Sequence, residues 1–333
     1  TLYGAFENLL DEIKDDERFR PDLVVYIGGH IVSKKLKSYL RSLKGVEQIR
    51  ISQEADIEDT FMHLTKVMDL PNSDAMSWLD NFGWHNQWED YRKLWMDALA
   101  KSYERIENFK PEFSSLATVK EFFSQLQKVE PQNFKAFTLG GKDAQDDGIY
   151  DRKFDTFLPG MMSSVFSGNS SAIRLMNLYA DRHVYCNRGV NGIEGSLSAA
   201  VGFSMCKNKS DKHVYCVLGD LSFFYDQNAL WNRNLNGKLR IIVLNNGGGA
   251  IFGKFQGLKE SQAREEMVMA RHHATAEGIC SQNEVKYLAA HTMEEMEQGI
   301  SQLIHAESER PMLLEVFTDM DVDNEMLEAI QKC

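Results

Sequence analysis

Asp220 and Asn246 stand 26 residues apart, each directly behind an apolar run. The runs at 213–218 and 239–244 read as strands, and a single crossover of that length sets the two side chains next to one another. One carboxylate, one side-chain amide and a nearby backbone carbonyl are hard oxygen ligands. They suit Mg²⁺ or Ca²⁺, with phosphate oxygens and water filling the other positions. Gly247-Gly248-Gly249 follows at once and lets the backbone come close to an ion, where side chains would obstruct it. The plain alternative is an ordinary strand-end turn followed by an Asn-Gly turn.

Other residues with chemical potential read more simply. His272-His273 could serve as metal ligands or as acid and base, but an adjacent pair in a charged segment reads as solvated. Trp78, Trp84, Trp88, Tyr91 and Trp95 recur at helical spacing, which points to core or interdomain packing rather than a cofactor box. Cys186, Cys206, Cys216, Cys280 and Cys333 show no metal-ligand spacing and read as reduced, buried thiols of a cytoplasmic protein. A net charge of −12 argues against a nucleic-acid surface, which needs clustered Lys and Arg. No run approaches the roughly 20 apolar residues of a membrane span, and the residues from Thr1 onward do not read as a basic-then-apolar signal sequence. The 333 residues suffice for two buried cores. The chain opens at Thr1 and enters a helical pattern at once, so we expect a piece of a longer protein.

The elements that must position these residues follow from periodicity. Residues 1–20 read as an amphipathic helix, with Leu2, Phe6, Leu9, Leu10 and Ile13 on one stripe. A strand at 23–27, a helix at 32–43 and a strand at 46–51 form one βαβ unit, followed by helices at 61–70, 76–109 and 113–126. From 162 onward, strand, loop and helix alternate: strands at 163–167, 184–186, 213–218, 239–244 and, as the last one, 312–317. Helices are expected at 172–179, behind N-cap chemistry in Gly168-Asn169-Ser170-Ser171, then at 195–206 and near 226–231, with further helices before 312. Such alternation predicts an α/β fold with a parallel sheet covered by helices on both faces. The loops 168–174, 187–195, 219–226 and 245–252 then share its carboxyl edge, where α/β sheets bind ligands. The expected division is residues 1–112 as part of a smaller α/β domain with a helical linker, and 113–333 as the sheet domain with an irregular excursion at about 127–160.

The Gly-Asp to Asn-Asn pattern in βαβ context resembles the thiamine diphosphate signature. Three longer strings narrow it: Asn187-Arg188-Gly189-Val190-Asn191-Gly192-Ile193-Glu194-Gly195, the run from Gly219-Asp220-Leu221-Ser222 to Ala229-Leu230, and Asn245-Asn246-Gly247-Gly248-Gly249-Ala250-Ile251-Phe252. They resemble the 2-succinyl-5-enolpyruvyl-6-hydroxy-3-cyclohexene-1-carboxylate synthase family, as does Gly168-Asn169-Ser170 followed by Arg174. The resemblance covers 160–320 well. It is weaker over 21–60, where Gly28-Gly29 and Lys34-Lys35-Leu36 look like the end of the family's central domain, and residues 127–160 depart from it.

The resemblance implies decarboxylation of 2-oxoglutarate on thiamine diphosphate, then addition of the succinyl unit to isochorismate, in menaquinone biosynthesis. It implies a metal, Mg²⁺ with Mn²⁺ or Ca²⁺ as alternatives, held by Asp220, Asn246 and the Gly248 carbonyl. Asn187, Gly219, Leu221, Ser222 and Asn246 would meet the cofactor, the backbone N–H groups of Leu221 and Ser222 facing its diphosphate. Ile193 would wedge the cofactor, or be a plain core isoleucine. Both substrates are polyanions, so Arg174 and Arg188 are expected to grip carboxylates with Ser170, surface ion pairs being the alternative. Lys34 and Lys35 match positions that reach the site, although exposed lysines are common. Ile251 and Phe252 would wall the ring of isochorismate. Nothing matches the family's pyrimidine-binding domain, which carries the cofactor-activating glutamate, so these residues alone are expected to bind cofactor weakly without turnover. The full-length protein is expected to be a homodimer or homotetramer. Two readings stay open: another thiamine diphosphate enzyme, such as an acetolactate synthase or 2-oxoacid decarboxylase, or a non-catalytic phosphate-binding module.

Overall fold

A computed structural model describes residues 5–29, 31, 33–53, 57–81, 89–131, 162–188, 192–206, 212–254 and 261–332. The chain forms two compact units, residues 2–108 and 109–332.

The first unit is built on three parallel strands in the order β1 (Leu23–Ile27), β2 (Glu47–Ser52) and β3 (Lys66–Asp69). Helix α1 (Ala5–Ile13) buries Leu9, Leu10 and Ile13 against Phe19, Tyr39, Leu43 and Val46, so its apolar stripe becomes core. Ser33 caps α2 (Lys34–Ser42), its hydroxyl accepting from Leu36 N–H at 3.1 Å. Two long helical segments complete the unit, α3 (Asn72–Asn81) and α4 (Glu89–Asn108). Trp95 packs edge-on against Phe19 and Tyr39, and Trp78 lies against Ile49 and Ile51, so both are core residues. Trp84 and Trp88 lie outside the described residues. The helix expected at 61–70 is not there. Residues 66–69 instead pair in parallel with β2, from Ile49↔Lys66 to Ser52↔Asp69. So short a run carries no decisive period, and an open sheet edge claims its backbone groups.

The second unit begins with α5 (Ser115–Val129), which continues past 126, so the first residues of the expected excursion are helical. Residues 132–161, the remainder of it, lie outside the described residues. Six parallel strands follow: β4 (Ser164–Ser167), β5 (Val184–Cys186), β6 (Val214–Gly219), β7 (Leu239–Asn245), β8 (Lys286–Ala290) and β9 (Met312–Phe317). Their order is β5-β4-β6-β7-β9-β8. β6, β7 and β9 are buried along nearly their whole length, which is why they read as unbroken apolar runs. One face packs α7 (Ser196–Cys206), α8 (Asp220–Asp226) and α9 (Glu277–Gln282) through Leu197, Phe223 and Cys280. On the other, α5 brings Phe122 to 5.1 Å from Tyr215, and α10 (Met293–His305) lays Gly299 on Leu314. The sheet is completed by α6 (Ser171–Tyr179) and α11 (Met320–Gln331).

β8 was not anticipated. It is an edge strand, exposed at Lys286 and Ala289, and lacks the apolar run that marks its neighbours. Nor does a helix begin near 226: α8 starts at Asp220 and passes into a 3-10 turn at Gln227–Trp231. Of the cysteines, Cys216 and Cys280 are buried, Cys186 is half-buried and Cys206 is exposed, so the expectation of buried thiols fails at Cys206. Among the described residues no helix is long and apolar enough to cross a membrane.

Candidate functional site

The strand order places the turns after β5, β4, β6 and β7 on four consecutive strands at one edge. The chain winds outward in opposite directions from β4 and β6, so a crevice opens between their carboxyl ends.

β6 runs into α8 without a loop. Gly219 is the cap residue (φ −74°, ψ 164°), and Asp220 is the first helical residue, only 3% exposed. Asp220 Oδ1 accepts from Leu221 N–H at 2.6 Å, and Oδ2 accepts from Gly248 N–H at 2.8 Å. His272 Nε2 stands 3.3 Å from the same Oδ2. Among the described residues, no Lys or Arg pairs with this carboxylate.

β7 delivers the other half. Gly219 pairs with Leu244, so Asp220 leaves its strand opposite the end of β7. The first asparagine there, Asn245, is buried; its Nδ2 donates to Glu315 Oε1 at 2.7 Å and to Ala274 O at 3.0 Å, while its Oδ1 accepts from Gly247 N–H at 3.1 Å. Asn246 Nδ2 donates to Asp323 Oδ2 at 2.7 Å, which leaves its amide oxygen for another partner. Gly248 sits at φ +146°, and a Cβ there would lie 2.6 Å from Met269 O, so only glycine fits. Gly249 N–H and Gly247 O bond to Met269 O and His272 N–H at 2.7 and 3.0 Å, clamping the glycine turn on segment 269–272.

His272 is therefore not solvated, contrary to expectation. Its side chain is 18% exposed and packs edge-on against Phe224 at 5.2 Å, while His273 is exposed. The Asp220 carboxylate 3.3 Å away raises the imidazole's pKa, and burial opposes the rise. The contact of segment 269–272 with the glycine turn buries one histidine and leaves its neighbour exposed, which their identity alone does not reveal.

The β4 turn approaches from the other side. A Cβ on Gly168 would meet Leu218 Cβ at 2.8 Å and Ser222 Oγ at 3.6 Å, so this glycine lets the turn lie against α8. Ser170 holds φ 67°, ψ −122°, a backbone conformation that costs a non-glycine residue of order 1–3 kcal/mol. Its hydroxyl makes no cap hydrogen bond, so the expected N-cap chemistry is absent, and its backbone lies outside the extended region that capping residues usually adopt. Asn169 Nδ2 donates to Gly192 O at 3.0 Å, joining this turn to the one after β5. There Asn187 Nδ2 donates to Gly195 O at 3.1 Å, and Ile193 is half-buried. Arg188 is half-buried with its Nε bonded to no described residue, and Arg174 is exposed one turn into α6. Gly189, Val190 and Asn191 lie outside the described residues.

The edge thus offers oxygen donors on β6 and β7 and arginines behind β4 and β5. Residues 167–316 match the family model of the thiamine pyrophosphate enzyme C-terminal TPP-binding domain. This unit belongs to the thiamine pyrophosphate enzymes. The TPP-binding domain is not the whole likeness. The chain is 32% identical to the 2-succinyl-5-enolpyruvyl-6-hydroxy-3-cyclohexene-1-carboxylate synthase of Phocaeicola vulgatus over 93% of its own length and 49% of that protein's. The synthases of Christiangramia forsetii (32% identity, 98% of this chain, 51% of theirs) and Desulfotalea psychrophila (30%, 90%, 48%) are similar. The chain spans about half the length of the relatives it matches.

The residues of the TPP-binding domain fit a diphosphate-bound divalent cation. Among the described residues no three His, Cys, Asp or Glu cluster as a metal site, so a cation here needs the Asn246 amide, a backbone carbonyl and phosphate oxygens beside Asp220. Leu221 N–H is turned onto Asp220, and Ser222 is buried beside the β4 turn. Ile251 and Phe252 lie in the 3-10 turn Ala250–Lys254, Phe252 being 40% exposed and touching the space beside Gly249. Lys34 and Lys35 lie in the first unit, where Lys35 Nζ pairs with Asp11 at 2.6 Å.

Two residues of this edge escaped the sequence reading, Glu315 and Asp323, while His272 was named there but read as solvated. Glu315 is fully buried and also accepts from Ala276 N–H at 2.9 Å and Tyr287 O–H at 2.8 Å. It did carry a signal, being a lone carboxylate inside the apolar run Met312–Phe317. Asp323 accepts from Asn246, Ser115 and Thr318; burial pushes its carboxyl up against those bonds. Nothing distinguishes it from the other acids of its helix in sequence.

Proposed function

We propose that this chain supplies the diphosphate-binding part of a thiamine diphosphate- and Mg²⁺-dependent transferase of menaquinone biosynthesis. The reaction is decarboxylation of 2-oxoglutarate and addition of the succinyl unit to isochorismate, giving 2-succinyl-5-enolpyruvyl-6-hydroxy-3-cyclohexene-1-carboxylate. One observation carries the reading: the likeness to the synthases runs over 93% of the chain, well beyond the cofactor domain that other thiamine enzymes share.

When bound, thiamine diphosphate supplies the carbon centre at which a 2-oxoacid loses CO₂ and its acyl unit becomes a nucleophile. The chain's own residues bind and orient. Asp220, the Asn246 amide oxygen and the Gly248 carbonyl would hold the cation, with Asn187, Gly219, Leu221, Ser222 and Ile193 along the cofactor. Ser170, Arg174 and Arg188 would receive substrate carboxylates, guanidinium forks being matched to carboxylate geometry. Arg188 suits the role because its Nε is buried without a partner among the described residues, a cost that a bound anion would remove. Ile251 and Phe252 would face the carbocycle. The full-length enzyme in this reading is a cytoplasmic homodimer or homotetramer.

The test compares CO₂ release from 2-oxoglutarate and from pyruvate by the full-length enzyme. A site with carboxylate-binding groups discriminates strongly against a substrate lacking the carboxylate, by about 10⁴-fold where such groups would be left unpaired. A preference for pyruvate would sink this reading in favour of an acetolactate synthase-like enzyme or a 2-oxoacid decarboxylase.

A further inference from the structure

An asparagine is an ambiguous metal ligand. Its amide has one oxygen and one nitrogen of nearly the same shape, and only the oxygen binds a hard cation. Something must decide which end of Asn246 faces Asp220. In this structure that decision falls to a residue 77 positions later in the chain.

Asp323 lies in the first turn of α11, and its carboxylate is enclosed by donors from three elements. Oδ1 accepts from Ser115 N–H at 2.7 Å, a backbone donor in the first turn of α5 that has no partner within its own helix. Oδ2 accepts from Ser115 Oγ at 2.7 Å, Thr318 Oγ1 at 3.0 Å and Asn246 Nδ2 at 2.7 Å. An ionised carboxylate only accepts, so the asparagine must turn its NH₂ inward. We propose that Asp323 is a positioning residue that sets the amide of Asn246 with its oxygen facing the cation. This inference rests on the reading of Asn246 as a metal ligand.

The geometry makes Asp323→Asn a sharp probe. Ser115 N–H is fixed in the helix and demands an oxygen at the Oδ1 position, so the new amide nitrogen must take the Oδ2 position. The hydroxyls of Ser115 and Thr318 can rotate to accept from it. Asn246 cannot rotate a hydrogen away; it must flip, offering its oxygen to residue 323 and its NH₂ to the cation. The variant keeps volume, and its two amide hydrogens replace the three bonds that Oδ2 accepted, so one hydroxyl bond is given up while a donor stands where a ligand is needed. Adding Asn246→Asp restores an oxygen on both sides, because a carboxylate accepts from Asn at 323 and still has a second oxygen for the metal.

The measurement is Mn²⁺ retention in the presence of thiamine diphosphate, read by electron paramagnetic resonance on the full-length protein, with thermal unfolding as a fold check. Asp323→Asn is expected to weaken Mn²⁺ binding about tenfold to a hundredfold, and the double variant to recover to within about threefold of the parent. Binding by Asp323→Asn that matches the parent, or a double variant no better than the single one, overturns the proposal while leaving the cofactor site intact. A parent protein that retains no Mn²⁺ overturns both this inference and the functional reading.

Discussion

Asp220 and Glu130 are carboxylates at opposite edges of one parallel sheet, and their surroundings differ in kind. Glu130, at the amino edge, accepts from Ser163 N–H and Oγ at 3.0 Å each, from Arg182 at 2.9 Å, and pairs with Lys212 at 3.2 Å. Its side chain is 9% exposed and that of Arg182 only 1%. Burial pushes its carboxyl up, but these bonds together hold it below the usual carboxylate value. Asp220 is buried as deeply, yet two backbone N–H groups and a histidine are its partners. A carboxylate saturated with fixed cations is a rivet, because its charge is already spent. One that is buried with donors but without Lys or Arg keeps charge available for a mobile cation. A cleft of about 170 Å³ opens at the amino edge beside Glu130, His213 and His305, away from the edge that carries Asp220 and Asn246.

The contrast can be broken most forcefully at the rivet. Glu130→Ala leaves the Arg182 guanidinium buried beside Asp181 alone, and a loss of about 3–5 kcal/mol in urea unfolding is expected, with Mn²⁺ retention unchanged in whatever remains folded. A loss under about 1 kcal/mol would mean the pair is no more than a surface contact.

Asp220→Ala should do the reverse. Metal-dependent thiamine diphosphate binding, followed by calorimetry, is expected to fall about a hundredfold or more, beyond what loss of a supporting residue causes. Urea stability of the metal-free protein should fall by about 1–3 kcal/mol, less than at Glu130, because the Gly248 N–H loses its acceptor but no buried Lys or Arg is orphaned. Equal binding with Mg²⁺ would displace the metal site from this edge.

The smallest effect sharpens the comparison through two histidines. At the amino edge, burial pulls His213 down to about 4 from an ordinary value near 6.5, with Arg240 adding to the fall. The folded state there refuses a proton, so stability is lost as pH falls from 6.5 toward 4. At the carboxyl edge His272 is raised by the adjacent Asp220 carboxylate, so its contribution is complete below its ordinary value and lost as pH rises through the raised one. Urea unfolding of the metal-free protein across about pH 5 to 9 should therefore flatten on the acid side in His213→Gln and on the alkaline side in His272→Gln. Each slope is at most about 1.4 kcal/mol per pH unit, one proton's worth. The same limb changing in both variants would remove the distinction between the two edges.

How far this was legible in the residues depends on the range of the information. Strands buried on both faces announce themselves, and β6, β7 and β9 stand where their apolar runs lie. β3 and β8 do not, because an edge strand of four or five residues needs only one neighbour and carries no period of its own. Ser170 could be marked by its motif but not by its cap role, since its φ of 67° is imposed by the turn between β4 and α6.

By itself the sequence determined which residues could carry charge, which runs must be buried, and that Asp220 and Asn246 end strands one crossover apart. Those are local properties, set by side-chain chemistry and by the period of the backbone. The tertiary structure decided what each of those groups has left to offer. Asp220 has no Lys or Arg against it among the described residues, and Glu130 has two cations, only because of the residues that the fold brings to each edge. Asn246 shows an oxygen rather than a nitrogen because Ser115 and Asp323, 208 positions apart, meet beside it. Partners so distant along the chain leave no periodic trace, and only folding brings them within hydrogen-bond reach.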